Sequence, residues 1–122
     1  MSIQVKEIAF VFYPVTDVGR ARKFYEGLLG LKTGLQAEVG PGQWWIEYDI
    51  AGQTLGISNT MPGKPASSLA LEVADLKGAL AAVKSAGYTV GTDIMEFPPC
   101  HMFIVKDPDG NEITLHQRKA GA

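Results

Sequence analysis

The side chains that could carry chemistry alternate along the last apolar stretch of the chain. Glu112, Thr114 and His116 are separated by Ile113 and Leu115, which is the period-2 pattern of a β-strand with one polar and one apolar face. A carboxylate, a hydroxyl and an imidazole would therefore lie side by side. Such groups can bind a metal ion or transfer protons, although a strand whose polar face meets only solvent has the same pattern.

A tight turn precedes this strand. Residues 107–111 read Asp-Pro-Asp-Gly-Asn, in which proline presets φ, the Asp and Asn side chains bond to nearby backbone, and glycine accepts a positive φ. Residues 102–105, Met-Phe-Ile-Val, are strand formers, so the whole stretch predicts a hairpin. The register that we expect places five side chains on one face: His101, Phe103, Val105, Thr114 and His116.

The composition indicates one soluble globular domain. Its 122 residues are 46% hydrophobic and 20% charged, and its net charge of −2 provides no basic surface for nucleic acid or an anionic membrane. The single cysteine, Cys100, excludes an intramolecular disulfide. The N-terminus lacks the features of a signal peptide and no apolar run approaches membrane-spanning length. We therefore expect a cytoplasmic protein with no nucleic-acid partner and no membrane partner.

The order strand, helix, three strands occurs twice with a period of 58 residues. Asp17 and Asp75 each precede a run with helical periodicity, and Gly52 and Gly110 each lie in a hairpin turn 35 residues later. In the first hairpin the pairing places Trp45, Glu47 and Asp49 opposite Ser58, Gly56 and Thr54. The repeat predicts one α+β domain over residues 1–122, with modules at about 3–58 and 67–117 and a linker at 59–66.

The motifs of this pattern resemble those of the vicinal oxygen chelate superfamily, which includes glyoxalase I, bleomycin resistance proteins and extradiol dioxygenases. The resemblance rests on Val15-x-Asp17-Val18, on Phe24-Tyr25-x-x-Leu28-Leu29-Gly30-Leu31 and on the Asp-Pro-Asp-Gly-Asn turn. It implies tandem βαβββ modules that form an open, cup-shaped mixed β-sheet with helices on the convex side. It also implies a homodimer and leaves open whether modules pair within one chain or between two. Trp44 and Tyr48, as aromatic residues expected at module edges, are predicted to lie at the dimer interface.

Enzymes of this superfamily hold a divalent metal ion in the cup. The resemblance places the ligands, usually His, Glu or Gln, seven residues before each helix-cap aspartate and four residues after each hairpin glycine; here these positions are Phe10, Gly56, Ser68 and Thr114. Phenylalanine and glycine offer no side-chain lone pair, and hydroxyls are poor ligands for Zn²⁺, Ni²⁺ or Fe²⁺. We therefore expect no metal ion and no other cofactor at the usual site.

The residues expected to line the cup are aromatic, with interspersed polar groups. Aromatic faces stack on planar molecules and attract cations, and carboxylates pair with cations. The first hypothesis is therefore metal-free binding of a small planar, possibly cationic, organic molecule, as in sequestration of a drug, toxin or metabolite by bleomycin-resistance-type members. A filled aromatic core is the alternative to a pocket. The predicted ligand-binding residues are Phe10, Phe12, Trp45, Glu47, Ser68, Phe103 and Thr114.

The second hypothesis is a lyase or isomerase of the glyoxalase type whose metal ion is relocated or absent. Its catalytic candidates are His101, Glu112 and His116. The two histidines could form a displaced metal pair, with Glu112 or Glu47 as a third ligand, or one of these groups could act as a general base. The sequence leaves open whether the chain is an enzyme and which molecule it binds.

Overall fold

The computed structural model describes residues 4, 6–60, 63–66 and 69–120, and it contains the predicted element order twice. The first module consists of β1 (Val11–Pro14), α1 (Val18–Arg22) continued by a π-helical segment (Lys23–Leu28), β2 (Lys32–Gly40), β3 (Gln43–Ile50) and β4 (Gln53–Ser58). The second consists of β5 (Leu69–Glu72), α2 (Leu76–Ala86), β6 (Thr89–Val90), β7 (Met95–Phe97), β8 (Cys100–Lys106) and β9 (Glu112–Arg118). The α+β prediction is confirmed, whereas the limits of the modules and linker stay a prediction.

Each module has its own open sheet. The strand orders are β1-β4-β3-β2 and β5-β9-β8-β6, with β7 also paired to β8. In each module the first strand runs parallel to the last and the remaining pairs are antiparallel. The short strand β7 is compatible with the two prolines that follow it, because they lie in the turn, where no ladder hydrogen bond is required.

The sequence repeat arises from capping and turn residues. Asp17 and Asp75 accept hydrogen bonds of 3.0 Å from the backbone N–H groups of Arg20 and Gly78, as N-cap residues do. Gly52 and Gly110 both have φ of 85°, a conformation that side chains disfavour. Neither of the two helices in the described ranges is long and apolar enough to cross a membrane.

One hydrophobic core joins the helices to one side of both sheets. The Phe24 ring meets the Tyr25 and Tyr88 rings edge-on, with centroid distances of 4.9 and 5.0 Å. Tyr48 is fully buried in this core and its hydroxyl donates to Glu26 Oε2 at 2.8 Å. The prediction that Tyr48 lies at a dimer interface is therefore wrong, because its position on β3 faces inward. Trp44 is only partly buried against the core.

The turn at residues 107–111 binds the second module to the first. Asp107 Oδ2 accepts from the Tyr25 hydroxyl at 2.8 Å and from Asn111 Nδ2 at 2.7 Å. Asn111 Nδ2 also donates to the carbonyl of Pro14 at 2.8 Å. Burial and the adjacent Asp107 carboxylate raise the pKa of Tyr25, so the phenol stays protonated as the donor. The polar residues of this turn therefore have a structural role.

Tyr13 provides a second link between the modules. Its hydroxyl accepts the backbone N–H of Leu69 at 2.7 Å and donates to the carbonyl of Glu112 at 2.9 Å. Leu69 and Glu112 begin the parallel strands β5 and β9. The phenol of the first module thus joins the ends of two strands in the second, which fixes how β1 lies against β5.

Candidate functional site

Phe10, Phe12 and Trp45 form an aromatic cluster on the side of the first sheet that faces away from the helices. The Trp45 and Phe12 rings are nearly parallel, with centroids 5.5 Å apart and an interplanar angle of 5°. Phe10 meets Trp45 edge-on at 5.4 Å and is 47% exposed. The structure therefore brings three of the predicted ligand-binding residues together at a surface that solvent can reach. Phe10 directly precedes β1, which begins at Val11.

Gly56 and Glu47 fix the position of the Trp45 indole. Glu47 lies opposite Gly56 in the β3–β4 ladder and Trp45 lies opposite Ser58, as predicted. A Cβ atom on Gly56 would lie only 2.8 Å from Cζ2 of the indole, so the ring occupies space that any side chain on Gly56 would fill. The indole Nε1–H donates to Glu47 Oε2 at 2.8 Å. The Trp45 indole thus packs on the backbone of Gly56 and is hydrogen-bonded at its edge to the Glu47 carboxylate.

Of the four positions at which related enzymes bind their metal ion, the three that the structure describes do not suit one here. Phe10 lacks a donor atom, and the Trp45 indole covers Gly56. Thr114 pairs with Ala70 and Ile104, neither of which supplies a side-chain ligand. Ser68 lies outside the described residues. Within the described ranges, no group of three or more His, Cys, Asp or Glu side chains is arranged to hold a metal ion.

The second hairpin differs in register from the prediction. Phe103 pairs with Leu115 and Val105 pairs with Ile113, so Phe103 is fully buried in the core and does not line the cup. The turn between Lys106 and Glu112 contains five residues. Because this number is odd, even-numbered residues of β8 share a face with even-numbered residues of β9, and odd-numbered with odd-numbered. The prediction used the opposite parity, which holds for the two-residue turn between Ile50 and Gln53. The outer face of β8 consists instead of Cys100, Met102, Ile104 and Lys106.

The same register separates the two candidate histidines. His101 pairs with Gln117, whereas His116 pairs with Met102. Because successive side chains alternate between faces, His101 and His116 point to opposite sides of the sheet. They cannot form the displaced metal pair that the sequence allowed, because the sheet lies between them.

His116 instead pairs with a carboxylate on β5. Its Nδ1 atom lies 2.6 Å from Glu72 Oε1, and Glu72 Oε2 accepts the backbone N–H of Arg118 at 2.8 Å. The hydrogen bond from Arg118 is the main cause, and that with His116 the second cause, of a Glu72 pKa below its usual range. Glu112 lies opposite Lys106 at the other end of the strand pair. The three catalytic candidates are therefore not brought together.

The partnership of Glu72 with His116 is the feature that sequence reasoning missed. The two residues are 44 positions apart and become neighbours only through the parallel pairing of β5 with β9. Alternation along Leu69–Glu72 does predict that Glu72 shares a face with Ala70. The predicted fold could have indicated this pair, because the first and last strands of a βαβββ module are adjacent.

Comparisons with known proteins agree with this architecture. TnmS3, an antibiotic binding protein from Streptomyces sp. CB03234, superposes with a TM-score of 0.80 at 24% identity, covering 97% of this chain and 100% of that one. A putative glyoxalase family protein from Bacillus anthracis gives 0.77 at 22% identity, covering 98% and 100%. A lactoylglutathione lyase from Agrobacterium tumefaciens gives 0.72 at 17% identity, covering 93% and 94%. At these identities the similarity shows the fold alone.

The family assignment rests on the sequence itself. No curated protein matches the chain significantly. A family model, however, matches residues 7–115, which is most of the chain and includes both sheets. The chain therefore belongs to the Glyoxalase/Bleomycin resistance protein/Dioxygenase superfamily.

Proposed function

We propose that this protein binds a small planar organic molecule at the Phe10–Phe12–Trp45 cluster, without a metal ion, and thereby sequesters a drug, toxin or metabolite. The observation that carries the proposal is the fixed Trp45 indole. Gly56 and Glu47 hold the ring in place before any ligand arrives. A preorganised aromatic surface binds a planar molecule at low conformational cost, because few side-chain rotations are lost on association.

The charge around the cluster favours a cationic ligand. Glu47 accepts the indole N–H through one oxygen, and Asp49, two residues further along the same face of β3, is exposed. Carboxylates beside an indole face reinforce its attraction for a cation. That TnmS3 is an antibiotic binding protein supports a small organic ligand for this chain. The location of the present protein in the cytoplasm remains a prediction.

A metal-free lyase or isomerase is the second candidate, and the His116–Glu72 pair favours it. In neutral His116 the bond to Glu72 places the ring proton on Nδ1, which leaves Nε2 able to accept a proton. Exchange of carbon-bound protons of a bound ligand with D₂O, abolished in His116→Gln, would favour this candidate. Binding with no such exchange favours sequestration.

The binding proposal is tested with Trp45→Ala. We expect a roughly ten-fold weaker affinity for a planar aromatic amine, because a stacking surface is removed. Trp44→Phe is the matched control, since it leaves Trp45 as the single tryptophan and should bind like the wild type in a fluorescence titration. Dialysis against a chelator should leave binding unchanged. A sharp fall in melting temperature in Trp45→Ala, with no aromatic amine shifting the wild-type melt, would instead identify the cluster as core packing.

A homodimer is also proposed, as the resemblance suggested. Leu35 and Val39 on the outer strand β2 are 50% and 60% exposed. Exposed aliphatic residues close to the aromatic cluster provide apolar surface that a second copy could cover.

A further inference from the structure

The two ends of the boundary between the modules differ, although the sequence repeat would make them equivalent. At one end the five-residue turn 107–111 and the Tyr13 hydroxyl fill the boundary with hydrogen bonds. At the other end the corresponding turn is only Ala51–Gly52. Leu71, which lies 58 residues after Tyr13, has no hydroxyl with which to bridge. The second end is therefore left without the groups that close the first.

Two adjoining cavities occupy this second end. One, of about 230 Å³, lies between the end of the π-helical segment, β5 and α2. The other, of about 300 Å³, lies between β1, the β3–β4 turn and β5. Both are bordered by Ile50, Leu71 and Glu72, and together we call them the intermodule cleft. Further lining residues are Leu28, Val83 and Leu69.

The chemistry of the cleft indicates what it would bind. Its walls are mainly aliphatic, and Glu72 is the single charged side chain among the described residues that line either cavity. Glu72 Oε2 accepts the backbone N–H of Arg118 and Oε1 lies 2.6 Å from His116 Nδ1; both contacts lower the pKa of Glu72 and so favour its charged form. Gln53 and Thr54 add two uncharged polar side chains to the second cavity. Concave, mainly apolar sites with a few polar groups are typical of small-molecule sites. An apolar body with one positive charge complements both features.

We propose that the intermodule cleft is a second ligand site, separate from the aromatic cluster, for an aliphatic or aryl molecule that carries one ammonium group. The apolar part lies between Leu28, Leu71 and Val83. The ammonium group reaches past the edge strand β5 to Glu72, whose side chain lies on the other face of that strand. A ligand bound there fills the boundary between the modules, as the turn 107–111 does at the other end. It also stabilises the fold, because a ligand of the native state lowers the population of the unfolded chain.

The experiment uses n-octylamine, 1-octanol and octanoate as probes, with calorimetry and thermal melts on the full chain. We expect n-octylamine to bind most tightly and octanoate least, because only the ammonium group complements Glu72.

Ala82→Leu and Ala79→Leu each place a larger side chain in the cleft and should weaken n-octylamine binding about ten-fold or more. Ala81→Leu, on the adjacent exposed position of α2, is the matched control and should bind normally. Glu72→Gln should remove the preference for n-octylamine over 1-octanol.

Three results would overturn the proposal. Normal n-octylamine binding by both cleft-filling variants would place the ligand elsewhere. Loss of n-octylamine binding in Trp45→Ala but not in Ala79→Leu would assign it to the aromatic cluster. A halved molecular mass of Ala82→Leu in light scattering, with Ala81→Leu unchanged, would show that the cleft is an interface between copies of the chain. Because aromatic-amine binding at Trp45 is measured separately, failure here leaves the function proposed for the cluster intact.

Discussion

At the scale of single residues, Gly56 determines what the first sheet can do. The position would carry a metal ligand in related enzymes, and here its missing side chain makes room for an indole. An aromatic surface therefore occupies the place of a coordinating group, and the proposed function uses this surface for binding. The sequence identified the loss of the ligand at Gly56, and the structure adds that Trp45 depends on it.

Replacing Gly56 by alanine tests this dependence. The new Cβ would lie 2.8 Å from the indole carbon, so either Trp45 moves or the backbone shifts. We expect a loss of roughly 1–3 kcal/mol in the free energy of unfolding, as for other overpacked sites, together with a changed tryptophan emission and weaker binding of aromatic amines. Gly27→Ala is the control, because a Cβ there meets no atom within 4 Å. Unchanged emission and affinity in Gly56→Ala would show that the indole is not held by this glycine.

At the scale of elements, the predictions succeeded where local chemistry decides the structure. Asp17 and Asp75 cap the helices, and the alternation along β3 and β4 placed Trp45 and Glu47 on the outer face, because a two-residue turn leaves one register. The second hairpin failed for Phe103 because the prediction used the parity of a two-residue turn, whereas the five-residue turn 107–111 pairs residues of equal parity. Burial in the core decides it, and burial depends on contacts with α2 and β9 that a linear pattern does not contain.

The turn at 107–111 yields a prediction about pH. The pKa of Tyr25 is raised by burial and by Asp107, whereas an unfolded tyrosine titrates near 10. The stability that the protonated phenol contributes is therefore present below about pH 10 and is lost as the pH rises further, by about 1.4 kcal/mol at pH 11. Tyr25→Phe should be less stable than the wild type at pH 7 by about 1–2 kcal/mol, and the difference should shrink at pH 11.

Urea denaturation at the two pH values measures this effect. Tyr48→Phe is a useful comparison, because burial and Glu26 also raise the pKa of Tyr48, but its hydroxyl bonds within the first module. Both variants should show the alkaline convergence, whereas only Tyr25→Phe weakens the link to Asp107. An equal difference between wild type and Tyr25→Phe at pH 7 and pH 11 would contradict the assignment.

At the scale of the whole molecule, the two sheets present different chemistry. The first exposes the aromatic cluster with Glu47, and the second exposes His116 paired with Glu72. Neither face alone encloses a ligand. The tandem βαβββ fold could be predicted from the repeat, but the way in which the modules join could not. The junction relies on individual hydrogen bonds, such as the two of the Tyr13 hydroxyl, which connect residues 56 and 99 positions apart.

The last prediction concerns the covering of these faces by a second copy. Ile8 is 78% exposed and Val39 is 60% exposed, and burying such side chains is worth about 1.5–3 kcal/mol each. We expect the wild type to scatter light at micromolar concentration as a particle of twice 13.1 kDa. Val39→Glu should favour the monomer, because a carboxylate would be desolvated in the contact. Ala81→Glu, which adds the same charge on the exposed side of α2, should leave the mass unchanged. A wild-type mass of 13.1 kDa would show that each chain acts alone, with the aromatic cluster open to solvent.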